Sequence, residues 1–233
     1  MRTPDLLGDA VVSWTGGKDG CYSCYKAMLE GWQVNYLLHF RRLSGPGSHD
    51  INPDLIRAQS EAAGIPLIQR DFTSYEEEFK RTIKDLRAGG EKIEGAVFGH
   101  IQTHKRLTDR ICRDLKLRPL LPLWQQDREM ILQEIIGSGF EVVLVSVRDD
   151  LGRGWLGRRI DEDLLDELKD LNQSIDLCGE NGEFHTLVTD GPIFKKRIVI
   201  SESEQSFREG YWFLNIAGYS LQAKRNACDI CAL

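Results

Sequence analysis

The sequence contains no run approaching the roughly 20 apolar residues needed to span a bilayer. Met1 to Gly8 also lacks the apolar stretch of a secretory signal, so a cytoplasmic protein is expected. Positive charge is not in excess: 30 Lys and Arg against 36 Asp and Glu leave a net charge of -6. A field of that sign does not attract a nucleic-acid backbone or an anionic membrane, and neither is expected as a partner. Cysteine is sparse, with 6 in 233 residues. The pairs Cys21/Cys24 and Cys228/Cys231 have C-x-x-C spacing, but this pattern is no secreted disulfide framework, and reduced thiols are expected. No further Cys or His pair has the context of a metal site, so no protein-ligated metal is expected. The Walker pattern G-x-x-x-x-G-K-[ST] and the dinucleotide pattern G-x-G-x-x-G are both missing, which argues against a kinase-like P-loop and a Rossmann cofactor site.

What is present is an ordinary globular balance, 41% hydrophobic and 28% charged residues, in a chain long enough to bury a sizeable core. Apolar runs alternate with helical patterns over the first half. Ala10–Trp14, Val34–Phe40, Pro66–Arg70, Gly95–Gly99 and Pro119–Leu123 read as strands. Cys21–Leu29, Asp54–Ala63, Tyr75–Leu86 and Thr103–Leu115 read as helices. That rhythm predicts an α/β fold with a doubly wound parallel sheet. Beyond Trp124 the rhythm changes. Helical patterns at Arg128–Gly137 and Asp161–Leu171 flank a strand at Glu141–Val147, and strands follow at Arg197–Glu202 and Tyr211–Ala217. A smaller α+β second domain is expected, giving domains over residues 1–124 and 125–233.

Ser13-Trp-Thr15-Gly16-Gly17-Lys18-Asp19-Gly20 lies between the first strand and the first helix. Unpaired amides at a helix start, the helix dipole and close-approaching glycine backbone make such a loop an anion cradle. Ser13 and Thr15 add hydroxyls, and Lys18 adds an ammonium group suited to phosphate oxygen. The competing reading is a tight turn with Lys18 solvated and Asp19 capping the helix. The segment resembles the SGGKDS signature of the PP-loop N-type ATP pyrophosphatases, with Gly20 standing where that signature ends in Ser. The resemblance implies the adenine nucleotide alpha hydrolase-like (HUP) fold. It also implies cleavage of ATP between its α and β phosphates, with the nucleotide held by Ser13 through Gly20.

Two further segments narrow the resemblance. Gly95-Ala-Val-Phe-Gly99-His100-Ile101, followed by His104-Lys105-Arg106 and Arg110 through Trp124, is similar to the second block of the diphthine ammonia ligase family. That family usually has Gly-Asp-Ile where this chain has Gly99-His100-Ile101. Gly99 and His100 stand at a strand's carboxyl end, where open α/β sheets bind ligands, and His100 reads equally as a structural or a functional histidine. Lys105, Arg106 and Arg110 read more readily as a solvated basic helix face than as phosphate contacts.

The third segment is Asp176-x-Cys178-Gly179-Glu180-Asn181-Gly182-Glu183-Phe184-His185-Thr186, read as a polar glycine-rich stretch running on to Gly191. Two carboxylates, an amide, an imidazole and a hydroxyl within seven residues are too polar to bury without partners. They suit an amino-acid-like ligand, with His185 able to relay a proton. The other reading is a solvated turn. The segment closely resembles the GENGEFHT block of diphthine ammonia ligases. The resemblance makes Glu180, Asn181, Gly182, Glu183, His185 and Thr186 the expected substrate site, with Lys18, Glu183 and His185 as the expected catalytic residues.

What the resemblance implies is an ATP-dependent amidation. A carboxylate is adenylated with release of pyrophosphate, magnesium is held through phosphate oxygens, and ammonium supplies the nitrogen. The implied macromolecular substrate is elongation factor 2, bearing diphthine. A small-metabolite acceptor and a non-catalytic ATP- or AMP-binding module remain as alternatives, and homodimer formation is left open. Cys21 and Cys24 read as buried residues behind the loop.

Overall fold

The computed structural model describes residues 6–43, 51–171 and 175–224. The first half forms β1 (Gly8–Ser13), α1 (Lys18–Leu29), β2 (Trp32–Arg42), α2 (Pro53–Ala63), β3 (Leu67–Phe72), α3 (Tyr75–Ala88), β4 (Ile93–Val97), α4 (Lys105–Leu115) and β5 (Arg118–Leu120). All five strands are parallel, in the order β3-β2-β1-β4-β5. Helix boundaries follow local chemistry. Asn52 accepts from the Asp54 amide with Pro53 at the first turn of α2, and that helix ends on left-handed Gly64. Ser74 caps α3 in the same manner.

The order places β1 between β2 and β4, so the chain leaves β1 toward one edge of the sheet and β4 toward the other. The crevice between those two strand ends is the topological switch point of the sheet, where open α/β folds hold ligands. The loop Trp14–Gly17 and the loop Phe98–His104 both open onto it.

The second half supplies α5 (Arg128–Gly137), β6 (Glu141–Arg148), α6 (Glu162–Leu171), β7 (Phe184–Asp190), β8 (Lys196–Arg208) and β9 (Tyr211–Ala223). These strands form an antiparallel sheet of order β7-β6-β9-β8. β7 corrects the reading of 176–191 as one polar stretch. Phe184, Thr186, Leu187, Val188 and Thr189 are buried in it, and the polar residues before Phe184 mask the strand's apolar content in the sequence. β8 and β9 are also longer than their apolar centres suggest. They join through Glu209 and Gly210, both at positive φ, as the right-handed twist of a two-residue hairpin requires.

One apolar core runs from β1, α1 and α2 into α5, α6 and the second sheet, and a separate cluster lies under α3 and α4 on the other face of the first sheet. Cys21, Cys24, Cys112 and Cys178 are buried thiols. Burial pushes the thiols of Cys24, Cys112 and Cys178 up to about 12, so they pack as small apolar groups. Cys228 and Cys231 lie outside the described residues. No helix among the described residues is long and apolar enough to cross a membrane.

Candidate active site

Two segments far apart in sequence meet at the switch point. Gly17 caps α1 without a side-chain acceptor, and the Lys18 amide donates instead to Thr186 Oγ1 at 3.1 Å. The amides of Asp19 and Gly20 have no acceptor among the described residues and face the start of the helix, where its dipole favours an anion. Gly99 lies directly against this turn. A Cβ there would stand 2.7 Å from Gly20 N and 2.8 Å from the Asp19 carbonyl carbon, so only glycine lets the two loops touch. At Gly20 itself a Cβ would meet only the Ser13 carbonyl at 3.6 Å, an ordinary contact.

Lys18 is 3% exposed. Its Nζ donates to Asp19 Oδ2 at 2.9 Å and to the Cys178 carbonyl, and it lies 5.6 Å from the centroid of the Phe184 ring. Burial works against its charge, yet Asp19, Cys178 and Glu180 outweigh that effect and hold its pKa above the ordinary lysine value. Two of its three N–H donors are engaged within the protein, leaving one for a ligand. Asp19 Oδ1 is buried and lacks a hydrogen-bond partner among the described residues. The carboxyl of Glu180 is raised above its ordinary range by burial first and then by Asp19.

These groups line one cavity of about 670 Å³. Of the residues expected from the sequence, Ser13, Thr15, Gly17, Lys18, Asp19, Gly20, Gly99, His100, Glu180, Asn181, Gly182, His185 and Thr186 border it. Gly16 does not border the cavity. It lies just behind the loop, at a φ of 82° with Ile56 and Gln59 against it, and its carbonyl accepts from the Val188 amide at 3.0 Å. Ser13 Oγ is hydrogen-bonded to the Tyr75 hydroxyl at 2.8 Å.

Glu183 departs most from its expected role. It is fully buried and faces the loop behind the cavity, where it accepts from the Asp176 and Asn181 amides, each at 3.0 Å, and from Asn181 Nδ2 at 3.2 Å. Asp176 works beside it, accepting from the Cys178 amide at 2.8 Å and pairing with Arg128 at 3.2 Å. The two carboxylates hold the polar segment in shape, and the Glu183 oxygens are engaged on that loop and do not border the cavity.

His100 stacks on Phe98 and approaches His104, and burial, with a smaller contribution from His104, lowers its pKa to about 4. His185 stacks against Tyr211. Lys105 pairs with Asp109 and Arg110 with Glu76, Arg106 is exposed, and none of the three borders the cavity. Sequence reading missed Gln59. This fully buried amide donates to the Gly16 carbonyl at 2.9 Å and the Val188 carbonyl at 2.8 Å, and accepts from Trp14 Nε1 at 2.9 Å. A glutamine inside an amphipathic helix carries no local mark of such a role.

A parallel sheet of this order, with a glycine–glycine–lysine loop at its switch point and a second sheet closing over it, defines an α/β protein of the PP-loop kind. The chain belongs to the diphthamide synthase family: residues 8–119 match the model of the diphthamide synthase N-terminal domain and residues 127–221 that of its C-terminal domain. It is 30% identical to the diphthine–ammonia ligase of Bos taurus over 221 residues, covering 82% of each chain. It is 29% identical to that of Rattus norvegicus over 249 residues, 90% of this chain and 91% of the relative. Identity to the diphthine–ammonia ligase of Schizosaccharomyces pombe is 31% over 216 residues, but this match spans only 36% of that longer protein. A solved structure described as a predicted subunit of a tRNA methyltransferase from Methanocaldococcus jannaschii superposes over 80% of this chain and 98% of that one, at 13% identity and a TM-score of 0.44.

Proposed function

We propose that this protein is an ATP-dependent amidating ligase that converts diphthine on elongation factor 2 to its amide, releasing AMP and pyrophosphate. The observation that carries the reading is the meeting, in one cavity, of the helix start at Lys18 with the segment Cys178–Thr186. In this proposal residues 1–124 form the nucleotide-holding domain and 125–233 the acceptor-holding domain, acting in the cytoplasm.

The residues fit a nucleotide. The cavity has the size of a small-molecule site, Gly17 and Gly99 keep its floor free of side chains, and two amides and one ammonium donor converge there. Lys18 and the amides of Asp19 and Gly20 bind phosphate oxygens and stabilise negative charge as pyrophosphate departs. Magnesium, held through phosphate oxygens, would neutralise phosphate charge when bound, with Asp19 and its unsatisfied oxygen beside it. The acceptor carboxylate oxygen bonds to the α-phosphorus as the bond to pyrophosphate breaks. Ammonia, formed from ammonium by loss of a proton, then attacks the acyl carbon and expels AMP, losing a second proton. His185, in the cavity wall, is the group proposed to take up a proton.

The test is to incubate the purified chain with ATP, magnesium, ammonium and diphthine-bearing elongation factor 2 and identify the nucleotide product. AMP with pyrophosphate is expected, and Lys18→Ala should lower its formation at least about 100-fold. ADP as product would refute the adenylate, and tight ATP binding without turnover would favour a sensing module.

A further inference from the structure

Next to the nucleotide cavity lies a second, smaller one of about 210 Å³, bounded on one side by His185 and Ile51, which border both. Its floor is the second sheet. In the strand register Ser146 on β6 pairs with His185 on β7 and with Phe213 on β9, so the three residues stand side by side across adjacent strands. Leu187 and Asn215, two residues further along β7 and β9, continue that floor.

The cavity holds an anomaly. Ser146 is 2% exposed, and its hydroxyl has no hydrogen-bond partner among the described residues. A buried hydroxyl left without a partner is destabilising, and native structures rarely keep one without a use. The charge pattern is equally informative. The nucleotide cavity carries Asp19 and Glu180, whereas among the described residues no acidic one lines the smaller cavity, and the formal charge found there is the guanidinium of Arg208 at the exposed rim, 4.1 Å from the Phe213 ring centroid. At 210 against 670 Å³ it suits a side chain rather than a nucleotide.

We infer that this cavity is the acceptor pocket: it seats the carboxylate-bearing arm of the modified residue, with Ser146 supplying the hydrogen bond that orients it and Arg208 drawing its negative charge in at the rim. The arm lies along the apolar wall with its carboxyl end toward His185, at the boundary with the phosphates. This deepens the proposed amidation and rests on it. It also separates the two ligands: the polar 178–186 segment faces the nucleotide, and the acceptor is gripped by β6 and β9, which no sequence motif marks.

The experiment compares Ser146→Ala and Asn215→Trp with the wild-type chain in the same AMP-forming assay, measuring KM for diphthine-bearing elongation factor 2 and the affinity for ATP in its absence. Ser146→Ala should raise the acceptor KM up to roughly tenfold, the scale of one hydrogen bond, with ATP affinity unchanged and Tm equal to or above wild type. A purely structural serine would give the reverse, a lower Tm with an unchanged acceptor KM. Asn215→Trp fills the cavity from an exposed position and should raise the acceptor KM further, again without weakening ATP. Unchanged acceptor KM in both variants, with the wild type making AMP, would overturn the pocket while leaving the amidation intact. Absence of AMP from the wild type would remove the amidation and the pocket together.

Discussion

The backbone amide of Lys18 donates to the hydroxyl of Thr186 across 168 residues of sequence, at 3.1 Å. The start of α1 is therefore capped not by its own preceding residue but by a strand of the second sheet. With the Lys18 ammonium on the Cys178 carbonyl and the Gly16 carbonyl on the Val188 amide, the phosphate-type loop is held in shape by the domain that closes over it.

Gln59 is a fourth fastening between these parts. Gln59→Leu leaves the Val188 carbonyl and the Trp14 indole N–H buried without partners, at roughly 1–3 kcal/mol for each group. Denaturant unfolding should show a loss of about 3 kcal/mol, accompanied by a weaker affinity for ATP as the loop loosens. Unaltered stability would show that these contacts are dispensable.

Glu183 should behave as a structural carboxylate. Glu183→Ala removes the acceptor of the Asp176 and Asn181 amides and is expected to cost roughly 1–3 kcal/mol, with new protease sensitivity near residues 176–183. Thermal unfolding and limited proteolysis report it. A Glu183→Ala variant with wild-type Tm and no activity would restore Glu183 to the chemistry.

The two glycines at the helix start should respond oppositely. Gly99→Ala forces a methyl against the Asp19–Gly20 backbone and should lose about 1–3 kcal/mol and raise the KM for ATP. Gly20→Ser meets only ordinary contact, reduces backbone freedom in the first turn of α1 and should be neutral or stabilising by up to about 1 kcal/mol. Equal damage from both would contradict the close approach of Gly99.

His100 gives the fold a pH dependence of definite sign. Its folded pKa of about 4 lies below the ordinary 6.5, so the unfolded chain binds the proton more readily. Stability from this group is complete above pH 6.5 and drains away as pH falls from there toward 4. Comparing unfolding of wild type and His100→Asn at pH 7.5 and 5 isolates the contribution. The difference between the two proteins should be largest at the higher pH, and a constant difference would refute a neutral buried imidazole.

Much of this arrangement is written locally. Alternating apolar runs and caps such as Asn52 and Ser74 encode the β-α order of the first half, because periodicity and capping are properties of neighbouring residues. The loop from Ser13 to Gly20 and the segment from Glu180 to Thr186 stand out for the same reason: glycine, charge and hydroxyl are concentrated within a few positions. What tertiary packing alone decided is which of those groups face the cavity. Glu183 and His185 are two residues apart, yet one is sealed into the loop behind the cavity and the other borders it. Gln59, Ser146 and the close approach at Gly99 acquire their significance from neighbours on other elements, since burial and contact between distant segments depend on how sheets and helices stack, and no local pattern along the chain records those contacts.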